Sequence, residues 1–426
     1  MKSKKYLGSL ITVYLCYFTH GMQAIILSQN AQYFYQKWGY TDAKAGMAAV
    51  SLAITATGFG KFLTVWLGGE ISDKVGRKKM AIGGAFLYVL CFGALLVTDS
   101  MTVAAISAFL AGVATSGFWD ASLYPTAQES APKFAASAVL GIKLFVSTSG
   151  VLYPLLVVHF TASGKPELGI WIPLIASVLC LVMAIVSPFA YDDEIKTKVE
   201  SGNNHETVNA AQLEIEEQKA KMLVKPSGLV NFVTMFYAFI CMFIMYGAQQ
   251  YTKAFGLNNA GLTEMQAAGL TSVYTFGAIL AVIFWAFMMA KLRWNPLKVL
   301  LIDSIFTTVA LVMVLVIHIP AVIFISIAMI GFFAAGGALQ AGLSVRQEFC
   351  PGPKGRNTGI YYTWMGLAAT FLPYMVSAMT KQVGDQRAIY IMMVLLLVAA
   401  VVSIVMMVYL VAMYKKIFGR NPLSNK

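Results

Sequence analysis

Gly69-Glu70-Ile71-Ser72-Asp73-Lys74-Val75-Gly76-Arg77-Lys78-Lys79 sets six charged residues in eleven positions between two long apolar runs. Gly69 lets two helices approach closely, and Gly76 permits a tight backbone turn. Asp73 can accept hydrogen bonds at a helix start, while Arg77, Lys78 and Lys79 hold the turn at a charged membrane surface. The plainer alternative is a basic loop that only fixes topology.

Outward from this turn the chain is apolar. Of its 426 residues 58% are hydrophobic and 12% charged, against about 25% charged in a soluble protein. A soluble domain, a secreted disulfide scaffold and a disordered chain are excluded. The apolar runs are continuous rather than alternating in short segments, which excludes a β-barrel. Gly, Pro and charged clusters divide the chain into candidate spans near 7–34, 43–67, 80–97, 101–124, 135–160 and 170–190, then 228–255, 266–290, 297–317, 321–345, 357–380 and 387–413. The expectation is an all-α integral membrane protein with twelve transmembrane helices in two six-helix bundles. Residues 1–190 form the first bundle, 191–226 a cytoplasmic linker and 227–426 the second bundle. Met1-Lys2-Ser3-Lys4-Lys5 opens the chain like a signal sequence. The apolar segment behind it is too long and lacks a cleavage site, so a retained first span is expected.

An even number of spans puts both ends on one side. Six basic residues fall on the outer loops (Lys37, Lys44, Lys165, Lys253, Lys381 and Arg387) and two, Lys61 and Lys143, within spans; the other 23 of 31 mark the inner side. Both termini are therefore expected in the cytoplasm, and the protein in the cytoplasmic (inner) membrane. The net charge of +12 is accounted for by these loops, with no nucleic acid partner implied. Cys16, Cys91, Cys180, Cys241 and Cys350 have no metal-ligand spacing and read as packing residues.

The linker carries eight acidic and five basic residues, with a short surface helix expected over 211–222. The halves on either side of it resemble each other. Gln29-Asn30 is echoed by Gln249-Gln250, Thr41-Asp42 by Thr263-Glu264, and Tyr153-Pro154 by Leu372-Pro373. The shared offset of about 220 residues points to duplication, a recurrent transporter plan. Each Thr can cap the next helix, with Gln266 at capping-box spacing from Thr263.

With the turn, the spans and the repeat in place, the chain resembles the major facilitator superfamily. The family signature G-x-x-x-D-[RK]-x-G-R-[RK] is supplied by Gly69, Asp73, Lys74, Gly76, Arg77 and Lys78, and the resemblance covers nearly the whole length. It implies two six-helix bundles around a central cavity, rocker-switch alternating access, and a cytoplasmic latch formed by the signature Asp and basic residues. It also implies a single working chain. The second-half counterpart, Ala290-Lys291-Leu292-Arg293-Trp294-Asn295-Pro296-Leu297-Lys298, lacks the Asp and the paired glycines, so the latch is expected in the first half alone. Ser187-Pro188-Phe189-Ala190-Tyr191 departs from the sugar-porter pattern, and Gly141, Gly150 and Pro154 match the drug–proton antiporter pattern poorly.

A charge inside a span costs at least about 2.5–3.5 kcal/mol, so each needs a reason. Asp120 can bind a proton or pair with a cation; a helix cap or fixed ion pair is the structural alternative. Lys143 can neutralise an anionic solute, pair with Asp120, or snorkel to the interface. His20 can change charge during a transport cycle, or sit buried and neutral. Lys61 is explained by snorkelling, and Asp303 reads as structural. The family resemblance places spans one, four, seven and ten around the cavity. Carried over, it selects Tyr17, His20, Gln23, Gln29, Asn30, Asp120, Tyr124, Tyr246, Gln249, Gln250, Lys253 and Gln340. Glu129 with Lys133, and Arg346 with Glu348, are expected to form cytoplasmic gate ion pairs.

These readings point to a secondary active transporter and not an enzyme: no phosphate-binding loop, metal pair or nucleophile–base set is visible. No cofactor or metal is expected. The working expectation is proton-coupled symport of a small organic anion, with Asp120 or His20 responding to protons and Lys143 neutralising the solute. The alternatives are proton-coupled efflux of lipophilic compounds, a neutral sugar or nucleoside carrier, and, from another class, a transporter-like membrane receptor. The expected partners are a small molecule, protons and membrane lipids.

Overall fold

Gly76 has φ 100°, a conformation open to glycine, and there the chain leaves one long helix and starts the next. The computed structural model describes residues 5–131, 135–193, 216, 219–352 and 354–424. Among these it forms twelve long helices. In the first half they are α1 (Leu7–Gln29), α2 (Ala43–Val75), α3 (Arg77–Val97), α4 (Met101–Ser130), α5 (Ala135–Ala162) and α6 (Leu168–Val186). In the second half they are α7 (Gly228–Asn258), α8 (Glu264–Lys291), α9 (Pro296–Val316), α10 (Pro320–Phe349), α11 (Lys354–Val383) and α12 (Asp385–Phe418). A short helix, Ala31–Lys37, carries α1 onward past Asn30.

Eleven helices among the described residues are long and apolar enough to cross a membrane. The remaining long helix, α11, runs for 30 residues, but Tyr361, Tyr362, Thr363, Trp364 and Lys381 dilute its apolar character. The buried side chains form two main cores. One is built from residues between Val13 and Phe189, with Tyr246 and Ala369 inserted from the second half; the other runs from Val230 to Ile417. The halves meet chiefly where α2 lies along α11 and α5 along α8.

Local chemistry explains the helix starts. Thr263 and Gln266 form the expected capping box at α8, and Asn295 accepts from the Leu297 N–H at 2.8 Å with Pro296 in the first turn of α9. At α2 the cap is Asp42, which accepts from the Ala45 N–H at 2.9 Å, and not the expected Thr41. Asp42 holds the N-cap position itself, immediately before Ala43, where its carboxylate can reach that donor. The helix α2 also runs past its expected end to Val75, so Asp73 lies in its last turn rather than at a helix start. Residues 194–215 and 217–218 of the expected linker, with most of its short helix, fall outside the described residues, as does Lys133.

The repeat is visible in the packing. Gly112 in α4 rests on the Thr57 carbonyl of α2, and Gly331 in α10 rests on the Tyr274 carbonyl of α8. Each glycine borders a stretch of π-helix, Ala114–Asp120 in α4 and Gly331–Ala335 in α10. Such widened turns re-aim side chains at functional sites.

Candidate substrate cavity and conformational contacts

The widened turn of α4 ends at Asp120, and both of its carboxylate oxygens accept hydrogen bonds. Tyr17 of α1 donates its hydroxyl to Oδ1 at 3.0 Å, and Ser116, one turn earlier in α4, donates to Oδ2 at 3.0 Å. Lys61 of α2 and Lys143 of α5 are near enough for their charges to act on Asp120, yet neither forms an ion pair with it among the described residues. Beside this group His20 Nδ1 lies 3.1 Å from the Tyr88 hydroxyl, which also meets Thr115 Oγ1 at 2.7 Å and donates to Gln23 Oε1 at 3.4 Å. Tyr88 stacks on Trp119 with ring centroids 4.3 Å apart, a contact that holds α3 against α4. Tyr17 sets its ring edge against Tyr124 at 5.3 Å.

Asp120, Lys61, Lys143, His20 and Tyr124 lie deep between the helices, yet each keeps partial solvent exposure. That combination makes them the candidate lining of a substrate cavity. Two lysines face one carboxylate, so with His20 neutral the cluster carries an excess positive charge. Phenols, an amide and hydroxyls surround it, and these can donate and accept.

Of the remaining residues selected for the cavity, Gln29, Asn30, Gln250 and Lys253 lie at the end of the molecule opposite the charged turn. Gln29 donates to Thr271 at 3.2 Å, Gln250 to the Ala24 carbonyl at 2.6 Å, and Lys253 to the Gln29 carbonyl at 3.0 Å. Each joins the two halves. Ser272 with the Val151 carbonyl (2.7 Å) and Ser377 with the Ala48 carbonyl (2.8 Å) do the same. Asn30 instead braces its own half through the Tyr153 hydroxyl at 3.0 Å. Tyr246 is buried in the first-half core, Gln249 is half-buried and Gln340 is exposed. Beyond this seal lies a vestibule of about 530 Å³, lined by Gln29, Tyr33, Tyr35, Lys253, Asn258 and Glu264 among others.

At the basic end, the charged turn is held mainly by the end of α6. Lys78 donates its backbone N–H to Asp192 at 3.1 Å and its ammonium to the Ser187 carbonyl at 3.0 Å. Arg77 donates to Ser72 at 2.6 Å, lies 3.6 Å from Glu129, and covers the Tyr191 ring at 4.3 Å. Lys5 pairs with Asp193 at 2.7 Å, which raises its ammonium above the usual lysine range. Lys74 is exposed, and the side chain of Asp73 is outside those described. Glu129 thus meets Arg77, while its expected partner Lys133 lies outside the described residues. In the second half Arg346 donates to Asn231 and Thr234, both at 3.2 Å, while Glu348 accepts from Tyr414 at 2.7 Å and lies 3.4 Å from Arg420. Both residues of the expected second gate are therefore tied inside their own half.

Sequence reading set Lys61 aside as a snorkelling lysine and did not select Tyr88, Ser116 or the partners Tyr191 and Asp192. Ser116 stands one helical turn before Asp120, so its spacing was a usable signal. Asp192-Asp193, directly behind a span and opposite a basic turn, was another. Tyr88 carried none, because its role arises only where α3 crosses α1 and α4.

Two cored helical halves, joined by hydrogen bonds at one end, are the frame of a membrane carrier that works by alternating access. The chain belongs to the Major Facilitator Superfamily, whose family model matches residues 13–373 and 232–423. It is 28% identical over 409 residues to the inner membrane transport protein YdiN of Escherichia coli (strain K12), covering 95% of this chain and 91% of that one. It is 29% identical over 373 residues to YfkL of Bacillus subtilis (strain 168), described as an uncharacterized MFS-type transporter, covering 87% and 89%. A solved structure of the xylose transporter XylE from E. coli, in a partially occluded inward open conformation, shares the fold with a TM-score of 0.69 at 12% identity, over 93% of this chain and 97% of that one. The chain is thus a multi-pass membrane carrier of a small molecule by secondary transport.

Proposed function

We propose that the chain imports a small organic anion together with protons. The observation that carries this reading is the pair Lys61 and Lys143, partly exposed between the helices and near enough for their charges to act on the single carboxylate Asp120. A solute carboxylate would neutralise that excess, while Tyr17, Gln23 and Tyr88 orient its polar remainder. Asp120 or His20 would take the coupled proton. The lysine- and arginine-rich end is the cytoplasmic one. The hydrogen bonds between halves gather at the outer end, so the conformation is inward-facing. The helix α11 counts as the twelfth span, since it runs the length of α2. Residues 1–190 and 227–426 are the two rocking bundles, and one chain suffices.

A second reading, a neutral sugar or nucleoside, is favoured by the shared fold with a xylose transporter and by the phenols and amide around His20. Uptake into proteoliposomes across carboxylates, sugars, nucleosides and amines, with and without an imposed proton gradient, separates these readings. Gradient-driven accumulation of a carboxylate, lost in Lys143→Gln, is expected. Accumulation of neutral sugars alone transfers the assignment to the second reading, and outward movement of lipophilic cations alone overturns both.

A further inference from the structure

The second half holds a carboxylate that the transport cavity does not use. Asp303 in α9 is 2% exposed, and neither carboxylate oxygen has a hydrogen-bond partner among the described residues. The Trp285 indole approaches it without the alignment of a hydrogen bond. Thr307, one turn further along α9, is also 2% exposed, with its hydroxyl unpartnered. Both line a cavity of about 20 Å³ between α7, α9, α10 and α12. That volume holds one water-sized guest.

The rest of the wall decides what that guest is. Ser304 and Ser403 also line the cavity. Their hydroxyl hydrogens are already donated to the carbonyls of Leu300 at 2.8 Å and Ala400 at 2.7 Å. Their oxygens therefore face the cavity with lone pairs only. Tyr237 and Cys241 from α7 are the other titratable groups on the wall, and no lysine, arginine or histidine lines it. A water molecule would satisfy these acceptors only with the Asp303 carboxyl holding a proton, since the ionised carboxylate would be left uncompensated within the span. A small cation satisfies both demands, and oxygen ligands of this kind suit hard ions.

We propose that this cavity binds a single monovalent cation of sodium size, held by Asp303 and Thr307 with the hydroxyl oxygens of Ser304 and Ser403. The site is separate from Asp120, which lies in the other half of the molecule, so it can be measured without any transported solute.

The test is thermal unfolding of the purified full chain in detergent, at mildly alkaline pH, in sodium chloride against choline chloride of equal ionic strength. Bound radioactive sodium is counted in parallel. A ligand that binds only the folded state raises Tm, so a saturable sodium-specific rise with one ion per chain is expected. Asp303→Asn should abolish both signals, Thr307→Val should weaken sodium binding about tenfold, and Asp120→Asn should leave the sodium shift in place. Equal stabilisation by choline, or a sodium shift that survives Asp303→Asn, overturns the proposal. If Asp303→Asn does not fold, unchanged sodium affinity in the near-isosteric Thr307→Val overturns it instead.

Discussion

Neutral donors, and not a cation, hold both oxygens of Asp120. A carboxylate locked in an ion pair would be inert, whereas one held by a phenol and a hydroxyl stays available to a proton or a solute cation. This separates coupling from binding. Asp120→Asn is expected to lose gradient-driven accumulation while keeping solute exchange between equal pools, as measured by counterflow in proteoliposomes. Loss of both would make Asp120 a structural residue. At the basic end, Gly76 gives a stability test that touches no solute. Its φ of 100° is costly for any side chain, and an added Cβ would run into the Asp192 carboxylate. Left-handed backbone costs about 1–2 kcal/mol per residue, so Gly76→Ala should lower Tm in detergent by several degrees. An unchanged Tm would show that the turn adapts freely.

At the scale of elements, the two widened turns and their glycines are one device used twice. Gly112 lets α4 rest on the α2 backbone, and Gly331 lets α10 rest on α8. Adding carbons at such contacts forces the helices apart, at a typical cost of about 1–3 kcal/mol. Gly112→Val and Gly331→Val should each lower Tm clearly. Gly93→Ala in α3, where nothing lies within 4 Å of the added carbon, should be neutral or slightly stabilising. Equal losses in all three would remove the close-approach argument. Most helices were legible from the apolar runs, because a span must be long and apolar wherever it sits in the fold. The extension of α2 through Asp73 to Val75 was not, since charged residues at a membrane surface look the same in a helix or a loop. The cavity was legible only in part. Asp120, His20 and Lys143 stood out as costly charges or titrating groups, whereas Tyr88 and Ser116 are unremarkable in sequence and gain their roles from helix crossings.

At the scale of the molecule, the split of one expected cavity list into two groups carries the mechanism. Tyr17, His20, Gln23, Asp120, Tyr124 and Lys143 gather around the polar cavity, while Gln29, Gln250 and Lys253 stitch the halves together at the other end. Sequence spacing could not separate them, because spans one and seven pass through both levels and present polar side chains at each. At the seal, single hydrogen bonds, each worth about 0.5–1.5 kcal/mol net, join the halves beside the packing of α2 on α11 and α5 on α8. A closure of that kind can open within a transport cycle. Ser377 and Ala48, bonded at 2.8 Å across the seal, provide a direct check. With both changed to cysteine and Cys350, the half-buried native thiol, changed to serine, a short bis-methanethiosulfonate, which joins two thiols through disulfides, should arrest transport, and a reductant that cleaves those disulfides should restore it. Full transport by cross-linked protein would mean that the halves do not part along this line, and that the solute takes another route past Asp120.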